Sequence, residues 1–143
     1  MSEWKTIVVG VDGSPGSRKA LTWAAAEAAD HNADLVVVNV WEHTLLPPAG
    51  NVTVSERYVP DPSQRTADDL VQVIKEELGD DPAILVKPQV KQGRAAKILI
   101  DESENADLLV VGKRGHGGFA GLVLGSVSQH VAAYAKCPVA VVR

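Results

Sequence analysis

The sequence is short of cysteine, of aromatic residues and of long apolar runs, and each shortage narrows what the chain can be. Its one cysteine, Cys137, rules out an intrachain disulfide and any cysteine-cluster metal site. Aromatic residues make up 4% of the 143 positions, so Val, Ala, Leu and Ile must supply the core. Trp4, Trp23 and Trp41 are scattered and read as packing residues. No apolar run approaches the roughly 20 residues that a membrane-spanning helix needs. No leader resembling a signal peptide precedes the first strand, so a cytoplasmic location is expected. A net charge of −4 argues against nonspecific nucleic-acid binding, which needs a basic surface. His31, His43, His116 and His130 show no metal-ligand spacing.

What the chain does have is regular alternation. Ile7 to Val11 is a continuous β-branched run (Gly10 apart), as expected of a strand buried on both faces of a parallel sheet. It runs into Asp12-Gly13-Ser14-Pro15, where Asp-Gly turns, Ser14 can cap and Pro15 suits a first helical position. A helix is predicted from there to about Asp30, with Ala20, Leu21, Ala24, Ala25 and Ala28 on one face. Leu35 to Val40 is a second buried strand. From Trp41 to Ser63 the chain is irregular and proline-rich; such a length is either a lid or a surface excursion.

Gln64 to Leu78 reads as a helix with Leu70, Val71, Ile74 and Leu78 inward and Gly79 beyond its end. The strand from about Ala83 to Lys91 alternates and contains Pro88, which places it at a sheet edge. A short helix follows from Arg94 to about Glu104, with Ala95, Ile98 and Leu99 inward. Leu108 to Val111 is buried by composition. Ser126 to about Lys136 is helical, with Val127, His130, Val131 and Tyr134 inward, and Val139 to Val142 is a last short strand. Cys137, at the start of that strand, is expected to be buried and inert.

Five strands alternating with four helices imply a single α/β domain over residues 1–143: an open parallel sheet with helices on both faces. An edge position for the third strand gives the order 3-2-1-4-5. The direction of winding then reverses between strands 1 and 4, where such sheets bind ligands beyond the strand ends. Two loops meet there, Asp12-Gly13-Ser14 and the basic glycine-rich stretch that follows Val111. The far edge, Val139 to Val142, is apolar and unprotected, so it is expected to pair with a second copy of the chain as a homodimer.

The glycine-rich stretch carries the chemistry. Glycines let backbone approach a ligand, and a helix start at Gly125-Ser126 offers free N–H groups to anions. A methyl at Gly112 is expected to obstruct the ligand. The Walker pattern is absent, since no lysine precedes Ser126. Gly115 to Ala120 matches G-x-G-x-x-A, but the following helix begins too late for a dinucleotide fold.

A longer pattern does fit: Gly112, Gly115, Gly125 and Ser126 fill Gly-x2-Gly-x9-Gly-Ser. Together with the Val-Gly-Val-Asp-Gly-Ser opening, Gly93-Arg94, Ala106 to Gly112 and Cys137-Pro138-Val139, it resembles the ATP-binding branch of the universal stress protein family. The resemblance covers nearly the whole chain. It implies a Rossmann-like sheet of the adenine nucleotide alpha hydrolase type and a dimeric, ATP-binding regulatory module of the stress or growth-arrest response. It further implies that Asp12 lies near ribose and phosphates or a bound Mg2+. Val40 would bond adenine through its backbone, with Val11 and Val111 near the base and ribose. Gly112, Gly115, Gly125, Ser126 and Val127 would line the phosphates and ribose.

Simpler readings stand beside these. Asp12 could be only a turn former, Ser126 only a helix cap, and Lys113 and Arg114 either phosphate contacts or a solvated basic face. A slow ATPase or a nucleotidyl or phosphoryl transferase is the competing class. Its only nominees are Asp12, Lys113 and Arg114, with no base that has a clear partner. A fold-mate binding flavin or another nucleotide is a third reading.

Overall fold

The structure is a computed structural model, and it describes residues 4–41, 62–113 and 125–143. The expected lid or excursion falls largely on residues 42–61, outside the described residues, as do Arg114 and Gly115. Among the described residues the elements are, in order, β1 (Thr6–Gly10), α1 (Pro15–His31), β2 (Asp34–Trp41), α2 (Pro62–Leu78), β3 (Val86–Gln92), α3 (Ala95–Ser103), β4 (Leu108–Gly112), α4 (Ser126–Tyr134) and β5 (Val139–Val142). The strands form one parallel sheet in the order β3-β2-β1-β4-β5.

The unbroken apolar runs are explained by two cores, one on each face of the sheet. Ile7, Val9, Leu35, Val37, Leu108 and Val110 turn toward α1 and α2; Val8, Val36, Val38, Leu109 and Val111 turn toward α3 and α4. Pleating sends successive side chains to opposite faces, so a strand covered on both sides must be apolar at every position. Each fully buried Val, Leu or Ile contributes about 1.5–3 kcal/mol. Ala20, Leu21, Ala24 and Ala28 of α1 are wholly buried, and the alanines let the helix lie close to the strands.

Several boundaries differ from the sequence reading, each for a local reason. β1 ends at Gly10, although the Val11 N–H still donates to the Val38 carbonyl. β3 starts at Val86 because β2, its one neighbour, starts at Asp34 and pairs with β3 from Leu35 onward; Leu85, just outside, is 58% exposed. Pro88 does lie on an edge strand. In α2 Leu70, Val73 and Ile74 are buried and Leu78 packs against the same core, whereas Val71 is exposed, one step off the stripe. α4 stops at Tyr134: the Ala135 backbone is extended, and the Lys136 N–H is taken by Ser103 Oγ at 2.8 Å.

Three aromatic expectations are corrected. His130 and Tyr134 are exposed, their rings 6.0 Å apart, because the inward residues of α4 are Ser128 and Val131. Trp23 is also exposed, lying off the alanine stripe of α1. Trp4 does pack on the core, against His31 at 4.5 Å. Cys137 is half-buried; burial and then the Asp107 charge push its thiol pKa up, which keeps it protonated.

At the amino end of β4 a single carboxylate closes the backbone. Asp107 Oδ2 accepts from the Lys5 N–H at 2.8 Å and the Thr6 N–H at 3.0 Å, and the Asp107 N–H donates to the Thr6 carbonyl at 2.9 Å. Those two amide donors hold the Asp107 carboxyl below the usual carboxylate range.

Candidate functional site

At their carboxyl ends β1 and β4 part company. The β1–β2 register runs to Gly10–Val38, whereas the β1–β4 register stops at Val9–Val110. This is the crevice expected where winding reverses. β2 clamps the exit of β1 on both sides of Val11: its N–H donates to the Val38 carbonyl at 2.9 Å, and its carbonyl accepts from Asn39 Nδ2 at 2.8 Å.

The turn after β1 is braced by its own side chains. Asp12 Oδ1 accepts from the Ser14 N–H at 2.9 Å, an Asx turn made without strain because Gly13 carries φ +85°. The Asp12 N–H donates to Ser17 Oγ at 3.2 Å, and Ser17 Oγ donates to the Ser14 carbonyl at 3.0 Å. Ser14 caps α1, accepting from the Ser17 N–H at 3.3 Å. Asp12 is therefore a turn former, and its side chain is at the same time exposed at the crevice rim. Arg18 donates from Nε to the Gly13 carbonyl, while its Nη1 pairs with Glu76 at 2.8 Å and Glu77 at 3.2 Å. Its charge is committed to α2.

The end of β4 is crowded. A Cβ on Gly112 would stand 2.8 Å from the Gly16 carbonyl carbon and oxygen and 3.1 Å from the Ser17 nitrogen. Beside the expected obstruction of a ligand, a methyl there would strike the first turn of α1. Ser128 Oγ donates to the Gly112 carbonyl at 2.6 Å. The Lys113 N–H donates to the Val142 carbonyl at 2.7 Å, and the Lys113 carbonyl accepts from the Gly125 N–H at 2.9 Å. That last bond ties together the two ends of the segment 114–124.

The cap of α4 is Gly125, with extended backbone and no side-chain bond, so Ser126 is not the cap but the first helical residue, and it is exposed. The opening turn of the helix thus presents backbone N–H groups at the crevice. Val11 and Val111 are buried in opposite cores, which leaves only their backbones for a ligand. Val40, near the end of β2, and Val127 are each half-buried against the core on the α3–α4 face. Among the described residues Lys113 has no ion-pair partner, and no group of three His, Cys, Asp or Glu side chains could hold a metal. None of the described helices is long and apolar enough to cross a membrane.

The structure brings Asp12, Gly112, Lys113, Gly125, Ser126 and Val127 to one end of the sheet, with Val40 beside them. Sequence reasoning missed Asn39, Gly16, Ser17 and Ser128. Only Gly16 left a signal, as a glycine in the first turn of a helix that begins at Pro15.

The family model described as the universal stress protein family matches residues 3–143. A universal stress protein of Mycobacterium tuberculosis is 37% identical over 142 residues, covering 96% of this chain and 44% of that protein. The chain spans about half the length of the curated relatives it matches. Among solved structures, universal stress protein UspA from Lactobacillus plantarum aligns over the full length of both chains with a TM-score of 0.77 at 21% identity. A universal stress protein in complex with cAMP aligns with a TM-score of 0.66 at 29% identity, covering 99% of this chain and 98% of that one.

Proposed function

The chain belongs to the universal stress protein family, and from that premise we propose that it is a regulatory module that binds an adenine nucleotide, ATP with Mg2+, in the crevice between β1 and β4. The observation that carries this reading is the parting of those strands, with the Asp12 turn on one side and the first turn of α4 on the other. The N–H groups of Ser126 and Val127, the Ser126 hydroxyl and the backbone of Gly112, Gly115 and Gly125 meet the phosphates. Asp12 holds Mg2+ or the ribose, the Val40 backbone reads the adenine, and the backbones of Val11 and Val111 floor the site. Lys113 and Arg114 offset phosphate charge from the loop.

The crevice supports binding more than catalysis. Phosphoryl transfer needs a positioned base and cations around the γ-phosphate. Asp12 Oδ1 already accepts from the Ser14 N–H, and Arg18 is held by Glu76 and Glu77. Residues 1–143 then act as one cytoplasmic domain, and two copies pair through Val139–Val142, whose other edge has no strand partner among the described residues. The cAMP complex of a 29% identical relative supports an adenine ligand.

Mass spectrometry of the freshly purified, denatured protein should recover ATP or AMP, and calorimetry should show ATP binding. Recovery of flavin, or no heat with millimolar ATP, overturns the reading. Single-turnover hydrolysis that disappears in Asp12→Asn while binding persists would move the protein to the enzyme class. Light scattering should give a dimer mass; a concentration-independent monomer removes the β5 pairing.

A further inference from the structure

β4 loses a partner as it ends. The Leu109 and Lys113 N–H groups donate to the Pro138 and Val142 carbonyls on the β5 side, so the alternate residues between them turn toward β1. The register with β1 has already stopped at Val9–Val110. The Gly112 carbonyl is therefore aimed at the crevice with no strand to bond it, and a buried carbonyl needs a donor. That donor is Ser128, 16 positions away, whose hydroxyl reaches it at 2.6 Å from the first turn of α4. Ser128 is 4% exposed, and its hydrogen is committed to this bond.

Two further contacts surround the same peptide. The Gly125 N–H bonds the Lys113 carbonyl, and the backbone of Gly16 would leave no room for even a methyl on Gly112. β4, α1 and α4 thus meet at Gly112, and the Ser128 side chain joins α4 to that point. Without its hydroxyl, the first turn of α4 keeps the backbone bond from Gly125 to Lys113 and the apolar packing of Val127 and Val131, and its cap has no side-chain support.

We propose that Ser128 is a positioning residue of the nucleotide site: its bond to the Gly112 carbonyl holds the Ser126 and Val127 N–H groups where the phosphates meet them. The proposal rests on the nucleotide reading above. Its physical content is preorganisation. A helix start already held in place binds an anion without first being ordered, whereas a loosened one gives up affinity to ordering. The effect falls on phosphates, because the base end of the ligand lies at β2, whereas the Ser128 hydroxyl bonds the end of β4.

Calorimetry of the intact protein with ATP and with adenosine tests it. Ser128→Ala should weaken ATP about tenfold and adenosine by less than about twofold. Ser128→Thr restores the hydroxyl and should recover ATP affinity to within about threefold. Ser128→Cys, nearly the same size with a weak donor, should behave like alanine and carries the test if alanine does not fold. Equal weakening of both ligands, or unchanged ATP affinity, overturns the positioning role. So does a failure to fold of both alanine and cysteine variants, which makes the hydroxyl a fold requirement. A wild-type protein that binds neither ligand overturns the nucleotide reading instead, and is recognised by having no affinity for any variant to change.

Discussion

The two ends of β4 solve the same problem in opposite ways. At the amino end, where β1 and β4 run side by side, the Asp107 carboxylate satisfies two neighbouring backbone N–H groups and joins the chain start to the sheet. At the carboxyl end the strands separate, one carbonyl is handed to Ser128, and helix-start N–H groups are left facing the crevice. The first end is closed and confers stability; the second stays open where a ligand can complete it. Unmet backbone bonding capacity is thus confined to the open end.

The sharpest way to break this contrast is at Gly112. Gly112→Ala drives a methyl into the backbone of α1, which cannot yield as a flexible side chain would. It should destabilise the fold by about 3 kcal/mol in denaturant unfolding. Full stability with weakened ATP binding would instead make Gly112 a glycine kept for the ligand.

Next in size is Asp107→Ala, which leaves two backbone donors without their acceptor and should cost about 2 kcal/mol with ATP affinity unchanged. The wild-type contribution carries a pH signature. The folded carboxyl titrates below its unfolded value, so its stabilisation is complete above the unfolded pKa and is lost as pH falls through the depressed folded pKa. Thermal unfolding across the acid range should show the gap between wild type and Asp107→Ala closing on acidification. A gap that stays constant would mean that the carboxylate is not the stabilising form.

Asn39→Ala removes the donor that holds the Val11 carbonyl at the open end. A loss of about 1 kcal/mol in stability is expected, with weaker ATP binding because the Asp12 turn is no longer braced from β2. Unaltered binding would show that the β1 exit is held well enough by the Val11–Val38 bond alone. Smallest is Tyr134→Ser, on the exposed flank of α4, which should shift unfolding by less than about 0.5 kcal/mol and leave ATP binding alone. A larger effect would mean that this flank is covered by a partner.

Much of the architecture was legible because two-sided burial leaves a strong trace. Ile7 to Val9, Leu35 to Val38 and Leu108 to Val111 have no polar position to hide, and Pro88 can only stand at an edge. Helix faces were read less well where the stripe is narrow. Val71 is 40% exposed and Val73, two positions on, 9%, and α4 turns Ser128 inward in place of His130. Apolar periodicity does not see a buried serine, since its reason for being there is a carbonyl on another element.

Local order and chain topology were thus written in the sequence: strand runs, the Asp-Gly turn, the helix-starting Pro15 and the glycine spacing that names the family all act over a few residues or one period. The fold alone decided which groups meet across it. Gly112 against Gly16, Ser128 on the Gly112 carbonyl, Asn39 on Val11 and Asp107 under Lys5 join residues far apart in the chain. The reason is physical. A polar group's partner is set by where the sheet stops pairing, and that place exists only once five strands from separate parts of the chain have come together.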